Sequence, residues 1–253
     1  PRLDSTQPGG SGSQRANDQT TWTYVSATQQ NNLVLHILHY LMGWKIAGKL
    51  SVGKGIPADR FDMASFIVAA NLCEESVTKA DASTEPRYMG AGIASEGDDT
   101  GSVLSALLAG CNGYLTDAGG TISIHVLYND LASPVAAFDD NDFLNEYSWN
   151  PWGALDKTPN IINGKFVDAS PTGLYQQRDY NPISLTSIDG IDRYETHNQT
   201  VVESQSQAQR LAKQLLQRYQ YPGVFTVGMK LSGLKANIGD VVTLTFTQLT
   251  WVN

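Results

Sequence analysis

The spacing of apolar residues changes in the middle of this chain, and that change restricts the fold more than any other feature. Up to Gly110, apolar residues recur at the 3.6-residue spacing of helices, whereas from Gly113 they alternate as in strands. We therefore predict an α+β chain, in which a mainly helical α/β block over residues 25–130 precedes or inserts into a β-rich block over residues 131–253. Residues 1–24, rich in glycine, serine and proline, are predicted to be a flexible segment.

Four helices are predicted from apolar spacing and from the residues at their ends. The first runs from Leu33 to Met42 and is closed by Gly43. The second starts at Asp62, and its apolar face is formed by Met63, Phe66, Ile67, Ala70 and Val77. The third follows Asp98, Asp99 and Thr100, whose side chains can cap free backbone amides, and continues to Gly110. The fourth covers residues 204–219.

Strands are predicted where apolar residues recur at every second position. Residues 113–116 and 121–127 flank the sequence Asp-Ala-Gly-Gly, which indicates a hairpin. Further strands are predicted at residues 160–167, 191–195, 223–230 and 240–247. No run approaches the roughly 20 apolar residues needed to cross a bilayer, so we expect no membrane insertion.

Acidic residues are concentrated in one part of the chain. The net charge is −8, but residues 61–160 hold 3 basic and 15 acidic side chains, so this segment carries −12. A surface of this sign repels phosphate, and the large basic patch of a nucleic-acid reader is absent from the sequence. If DNA passes this protein, we expect it to pass without specific binding; a solvated acidic face that aids solubility is the alternative.

The candidate chemical sites in the sequence have simpler structural explanations. His36 and His39 have a spacing that metal sites use, but no third ligand is evident, so a helix-surface pair is favoured. The aspartates of residues 139–142 resemble a calcium loop but lack the glycine and final glutamate of an EF-hand, which favours capping of a turn or helix. Glu96, Asp98 and Asp99 could be a hydrolase carboxylate group, but charges at a helix N-terminus explain them better.

Other signatures of catalysis are missing from the sequence. There is no Gly-x-Ser-x-Gly elbow, no phosphate-binding loop and no Cys-x-x-Cys pair. Cys73 and Cys111 are predicted to be buried free thiols. We expect no enzymatic activity, no cofactor and no bound metal.

One aromatic cluster is a candidate for binding. Tyr147, Trp149 and Trp152 surround Asn150-Pro151. Such aromatics could stack on sugars, but beside a proline they more often form the edge of a core or a subunit contact. These three residues are our candidate subunit contacts.

An ordered series of short motifs resembles the central hub region of bacteriophage tail-tip proteins. This is the family of the lambda-type tip attachment protein, with relatives in prophages and gene transfer agents. The matching segments are residues 31–41, 53–62, 73–75, 85–88, 102–120, 139–143, 160–162, 208–212 and 239–242. No single motif is specific, but their order is hard to obtain by chance. The likeness covers roughly residues 25–247.

The resemblance implies a structural role at the distal end of a phage tail. Three copies would form a ring around a channel, with a tube-like β-barrel hub domain, joining the tail tube to other tail-tip proteins. Before infection the ring would be plugged, and it would then open for the tape-measure protein and the DNA. The implied location is the virion tail tip, after synthesis in the bacterial cytoplasm, with a part in host attachment. The flanking segments of full-length relatives are absent, so receptor recognition is not assigned to this sequence.

The alternative is a carbohydrate-binding or cell-wall-degrading module of a phage tail, for which monomers would suffice.

Overall fold

A computed structural model shows helices and short strands alternating along the chain. It describes residues 5–6, 11–15, 18–21, 31–95, 97–128, 134–151, 153, 158–187, 189–237 and 239–247. The α-helices in these residues are α1 (Leu33–Met42), α2 (Met63–Glu74), α3 (Thr100–Gly110) and α4 (Gln205–Gln220). The strands are β1 (Trp44–Ile46), β2 (Lys49–Val52), β3 (Ser76–Thr78), β4 (Thr84–Pro86), β5 (Gly113–Ala118), β6 (Thr121–Val126), β7 (Ala136–Phe138), β8 (Phe143–Asn150), β9 (Ile161–Asn163), β10 (Lys165–Asp168), β11 (Gln176–Asp179), β12 (Ile183–Ser184), β13 (Tyr194–Thr196), β14 (Val224–Met229) and β15 (Val242–Leu244).

All four helices begin at a side chain that caps free backbone amides, and the sequence predicted such a cap for α3. Asn32 accepts hydrogen bonds from the amides of Val34 and Leu35, and its own amide group donates to the carbonyl of Ala70. Asp62, Asp99 and Ser204 cap α2, α3 and α4 in the same way. The four predicted helices are therefore confirmed, with their starts fixed by local chemistry.

The prediction that α2 extends to Val77 is wrong. The helix ends at Glu74, and Val77 lies in β3, paired with Glu85 of β4. The amide of Tyr88 donates to the carbonyl of Cys73, in the last turn of α2. The backbone thus leaves the helix for a short antiparallel hairpin of β3 and β4, which helical spacing alone does not reveal.

The predicted strands are confirmed in place, with corrections to their extent. The hairpin forms β5 and β6, and residues 223–230 form β14. The single strand predicted at 160–167 is two strands, β9 and β10, with Gly164 between them. At Gly164 the backbone lies so close to His197 that an added Cβ would be 2.1 Å from its carbonyl oxygen. The strand predicted at 191–195 begins only at Tyr194. The residues before it form a turn, which the guanidinium group of Arg193 closes by donating to the carboxylate of Asp189. Of the strand predicted at 240–247, Val242–Leu244 forms β15, which pairs with β7.

One large core joins all four helices. Its buried members include Leu33 and Ile37 of α1, Phe66 of α2, Leu107 of α3 and Leu216 of α4. Strands β6, β9 and β10 add further apolar side chains to the same core. Residues before position 130 in the sequence therefore pack against residues after it. Burial of each such side chain stabilises the fold by about 1.5–3 kcal/mol.

Polar contacts fix α4 against the rest of this core. Buried Gln207 accepts from the amide of Met89 and donates to the carbonyl of Gly110. Arg210 donates to the carboxylate of Glu85 at 2.6 Å and to the carbonyl of Arg87 at 2.7 Å. These bonds satisfy buried polar groups and join residues that lie more than 90 positions apart in the sequence. They make α4 an integral part of the helical block.

A second, smaller core lies near the C-terminal strands. Phe138, Phe143 and Phe246 are buried there, beneath the antiparallel pair β8–β14 and the parallel pair β7–β15. We call these four strands, together with the 3-10 helix Leu231–Lys235, the small lobe. Gly239, shortly before β15, packs against the hydroxyl of Tyr114 in β5, in a space where no side chain would fit.

The α+β class is confirmed by this arrangement. The sheets of the described residues contain two or three strands each, and none closes into a barrel. The tube-like barrel, and the division into blocks at residues 24 and 130, stay predictions. No helix in the described ranges is both long and apolar enough to cross a lipid bilayer.

Candidate subunit interface

The candidate contact residues Tyr147 and Trp149 lie on β8, in the small lobe. Because side chains alternate along a strand, Tyr147 and Trp149 lie on the same side of β8 as Phe143. The neighbouring strand β14 contributes residues that pack on the small core. Tyr147 remains 41% exposed, while Trp149 is half-buried. Trp152, the third candidate, lies outside the described residues. The structure thus places two of the three candidates together, at the border of a core.

Ring geometry shows how these aromatics are held. Tyr147 meets Phe246 edge to face, with ring centroids 4.8 Å apart, and Trp149 meets Phe225 at 6.4 Å. Phe225 also contacts Phe143 and Phe246 at 6.1 and 5.4 Å. Interlocked rings of this kind stabilise one another and keep the exposed part of Tyr147 rigid. A rigid, partly exposed tyrosine at a core edge suits a protein contact better than a flat platform for sugars.

The small lobe also exposes two leucines at one end. Leu231 and Leu234 belong to its 3-10 helix and are 85% and 82% exposed. Because a 3-10 helix has three residues per turn, they lie on the same face. The lobe holds this helix in place: the amide of Lys230 donates to the carbonyl of Asp142, and its ammonium group donates to the carbonyl of Asn141. We call Leu231 and Leu234 the leucine pair.

The aspartates of residues 139–142 form the turn between β7 and β8. Asp139 accepts from the amide of Asn141 at 2.8 Å, and Asp142 accepts from the amide of Asp139 at 3.0 Å. The backbone amide of Asp139, followed by Ser232 and the neighbouring Lys235, lowers the pKa of Asp142. These bonds agree with the capping interpretation. Within the described residues, no three His, Cys, Asp or Glu side chains group as metal ligands.

A separate cleft of about 630 Å³ opens between α1, α3 and the segment after Met89. Its lining is mostly apolar and includes Trp44, Val52, Ile93, Val103 and Leu107. Ile93 is almost fully exposed at its mouth. The size and lining suit an inserted apolar side chain or small molecule.

The histidine pair and the carboxylate group predicted in the helical block both border this cleft. His36 and His39 line one wall, and burial followed by the charge of His36 lowers the pKa of His39. Asp98 and Asp99 line the other: Asp98 accepts from the amide of Ser95, and Asp99 caps α3. That capping bond also lowers the pKa of Asp99. Glu96, the third residue of the predicted carboxylate group, lies outside the described residues.

The two cysteines are free and buried, as predicted. Cys73 lies in α2 and Cys111 directly follows α3. Burial raises the pKa of both thiols, to about 12 for Cys111. Neither is therefore a candidate nucleophile, because the reactive thiolate is disfavoured at both positions.

The sequence reasoning missed the hairpin of β1 and β2 at the edge of the cleft. Trp44, Ile46, Leu50 and Val52 are exposed on it, and Trp44 contacts the ring of His39 at 5.2 Å. The two strands are joined by Ala47-Gly48, both with positive φ, as in a two-residue hairpin turn. Alternation of apolar residues and lysines around Ala-Gly was the signal in the sequence that could have revealed it.

Comparison with known families identifies the class of protein. A family model named Phage-tail_3, described as "Putative phage tail protein", matches residues 99–251, which is more than half of the chain. The chain belongs to this phage tail protein family. It is accordingly a component of the virion tail. A search of curated proteins found no match.

Proposed function

We propose that this tail protein is a structural component of the tail tip, forming the baseplate hub at the distal end of the tail tube. The family membership supports a tail role, and the order of motifs shared with tip hub proteins supports this position within the tail. In this role three copies form a ring, which contacts the tail tube, other tail-tip proteins and the tape-measure protein. The ring takes part in host attachment and opens for genome ejection.

The observation that carries the proposal is the incomplete burial of the small lobe. Its sheets have two strands each, and Leu144, Tyr147, Val224 and the leucine pair expose large apolar surfaces. Single exposed apolar residues are ordinary, but several in one lobe mark a surface that a partner covers. A ring subunit has neighbours of that kind on both sides.

The charge of the chain fits a passage for DNA better than a binding site for it. Residues 61–160 carry −12, and Asp98, Asp99, Asp139 and Asp140 are exposed within that segment. Phosphate is repelled by such a surface, so the proposed channel lets DNA pass without specific binding. The proposed role is structural, and we propose no reaction for the chain.

Solution mass is the direct test of ring formation. Light scattering over a wide concentration range should give a trimer of three times 27.4 kDa. Negative-stain electron microscopy of the same sample should show rings with a central hole. A chain that remains monomeric at every concentration, or a dimer that cannot close a ring, would contradict the proposal.

A second assay separates the hub from the sugar-binding alternative. The packing of Tyr147 and Trp149 against Phe225 and Phe246 favours the hub, because both rings are held by aromatic contacts within the lobe. Sedimentation with purified cell-wall polysaccharide should therefore leave the chain in the supernatant. Saturable co-sedimentation that is lost in Tyr147→Ala would instead support a carbohydrate-binding module.

A further inference from the structure

The hairpin of β1 and β2 has the properties of a docking arm. Every residue of both strands is exposed, including four large apolar side chains: Trp44, Ile46, Leu50 and Val52. An isolated two-stranded hairpin is at best marginally stable in water. This one is held at its base, where the side chain of Leu50 packs on Gly43 and Gly55. Trp44 contacts His39 and, with Val52, lines the cleft, while Ile46 is 61% exposed. We call residues 44–52 the hairpin arm.

The hairpin arm is also positively charged. Lys45 and Lys49 lie on it, and the sequence contains no carboxylate between positions 43 and 58. Neither lysine forms a salt bridge with any residue in the described part of the chain. A basic apolar surface of this kind fits an acidic apolar partner.

The leucine pair on the small lobe has the opposite balance of charge. Four carboxylates lie on the turn and strand beside it, and two lysines flank the leucines, which leaves an acidic excess. The carboxylates are Asp139, Asp140, Asp142 and Glu146, and the lysines are Lys230 and Lys235. One of these lysines, Lys230, already donates to the carbonyl of Asn141.

We propose that the leucine pair of one copy of this chain docks into the apolar cleft and against the hairpin arm of the next copy. This inference rests on the proposed ring and names the two surfaces that build it. The acidic turn of one copy then meets Lys45 and Lys49 of its neighbour. The lysines flanking the leucine pair meet Asp98 and Asp99 on the far wall of the cleft.

Charge also selects this pairing over symmetric ones. Two hairpin arms face to face would bring four lysines together, and two leucine pairs would bring the acidic turns together. Like charges in an interface weaken it and exclude wrong partners. The favoured contact therefore joins different surfaces of neighbouring copies, and such head-to-tail contacts close into a ring when the rotation permits.

Cross-linking between variants that each carry one added surface cysteine tests the pairing. Ile46→Cys and Leu234→Cys place reactive thiols on the two surfaces, while Cys73 and Cys111 are buried and do not react. With a short bismaleimide, a mixture of the two variants should yield cross-linked dimers, and each variant alone should yield few. Efficient cross-linking of Ile46→Cys with itself would overturn the proposal. Leu174→Cys, exposed on another loop, is the matched control.

Association of the Leu234→Ser variant provides the second measurement. Because Leu234 is exposed, the variant should keep the unfolding midpoint of the parent, yet its dissociation constant should rise at least about tenfold. Leu174→Ser should change neither. An unchanged dissociation constant for Leu234→Ser would refute the docking contact.

The two proposals fail in different ways. An oligomer of the expected mass whose cross-links avoid the hairpin arm overturns the docking contact and leaves the ring intact. A chain that is monomeric in the light-scattering experiment overturns both.

Discussion

In the large core, side chains from four helices enclose one another, whereas in the small lobe three buried phenylalanines lie beneath strands that are largely exposed. Leu33, Phe66 and Leu216 are fully buried in the first region. In the second, the leucine pair and Tyr147 remain in contact with solvent. The large core is therefore complete within one chain. The small lobe keeps apolar surface for a neighbour, and the two regions should respond differently to substitution.

The largest effect is expected from Phe66→Ala in the large core. This change removes a fully buried ring from α2 and leaves a cavity that the packed helices cannot fill, so the free energy of unfolding should fall by about 3–5 kcal/mol. Urea denaturation followed by circular dichroism measures it. Val68→Ala, on the exposed face of the same helix, should change stability by less than about 0.5 kcal/mol. Equal losses for both variants would contradict a closed core.

Phe143→Ala should have a smaller and more local effect. The ring is buried among Phe225 and Phe246, and its loss should destabilise the small lobe by about 3 kcal/mol. Hydrogen exchange should therefore accelerate in β8 and β14, while amides of α1 and α2 keep their protection. Uniform acceleration across the chain would mean that the two regions unfold as one unit.

Arg210→Met should cost about 2 kcal/mol, because it breaks the charged contacts that hold α4. The methionine keeps much of the apolar stem but leaves the nearly buried carboxylate of Glu85 without its 2.6 Å ion pair. Chemical denaturation measures the loss. The control is Arg178→Met, since Arg178 pairs with Asp168 at 3.0 Å but is half-exposed, and this change should cost less than about 1 kcal/mol. A similar loss in both variants would show that burial does not matter here.

The smallest effect on stability is expected from lowering the pH. Burial lowers the pKa of His39 below its ordinary value of 6.5, so the folded state binds this proton less tightly than the unfolded state. Stability is thus fully present above the ordinary pKa and is lost as the pH falls below it. Unfolding midpoints at about pH 7.5 and about pH 5.5 should differ less in His39→Gln than in the parent. His36, Asp98 and Asp99 share the cleft and remain in both proteins, so an identical pH dependence would assign the effect to other groups.

The helices could be predicted because their signals are local. Asn32, Asp62, Asp99 and Ser204 each cap the amides that follow within three residues, and a sequence shows such relations directly. The hairpin of β5 and β6 is equally local. These elements required no knowledge of distant parts of the chain.

One failure concerns nearby residues: Val77 follows a helical pattern, but it pairs with Glu85 in the hairpin of β3 and β4. Other pairings depend on distant residues. The parallel pairing of β7 with β15 joins segments more than 100 residues apart. For the candidate interface, Tyr147 and Trp149 were predicted from the aromatic cluster around Asn150-Pro151. The hairpin arm had a local signal that was missed, whereas the cleft depends on how α1, α3 and the β1–β2 hairpin come together.

The position of α4 in the large core has a consequence for synthesis. Leu33 and Ile37 are made about 180 residues before Leu211 and Leu216, which form part of the surface that buries them. Helix α1 therefore stays partly uncovered until α4 has been made, and during that interval chaperones or aggregation compete for it. Chains that stop before α4 cannot close this core.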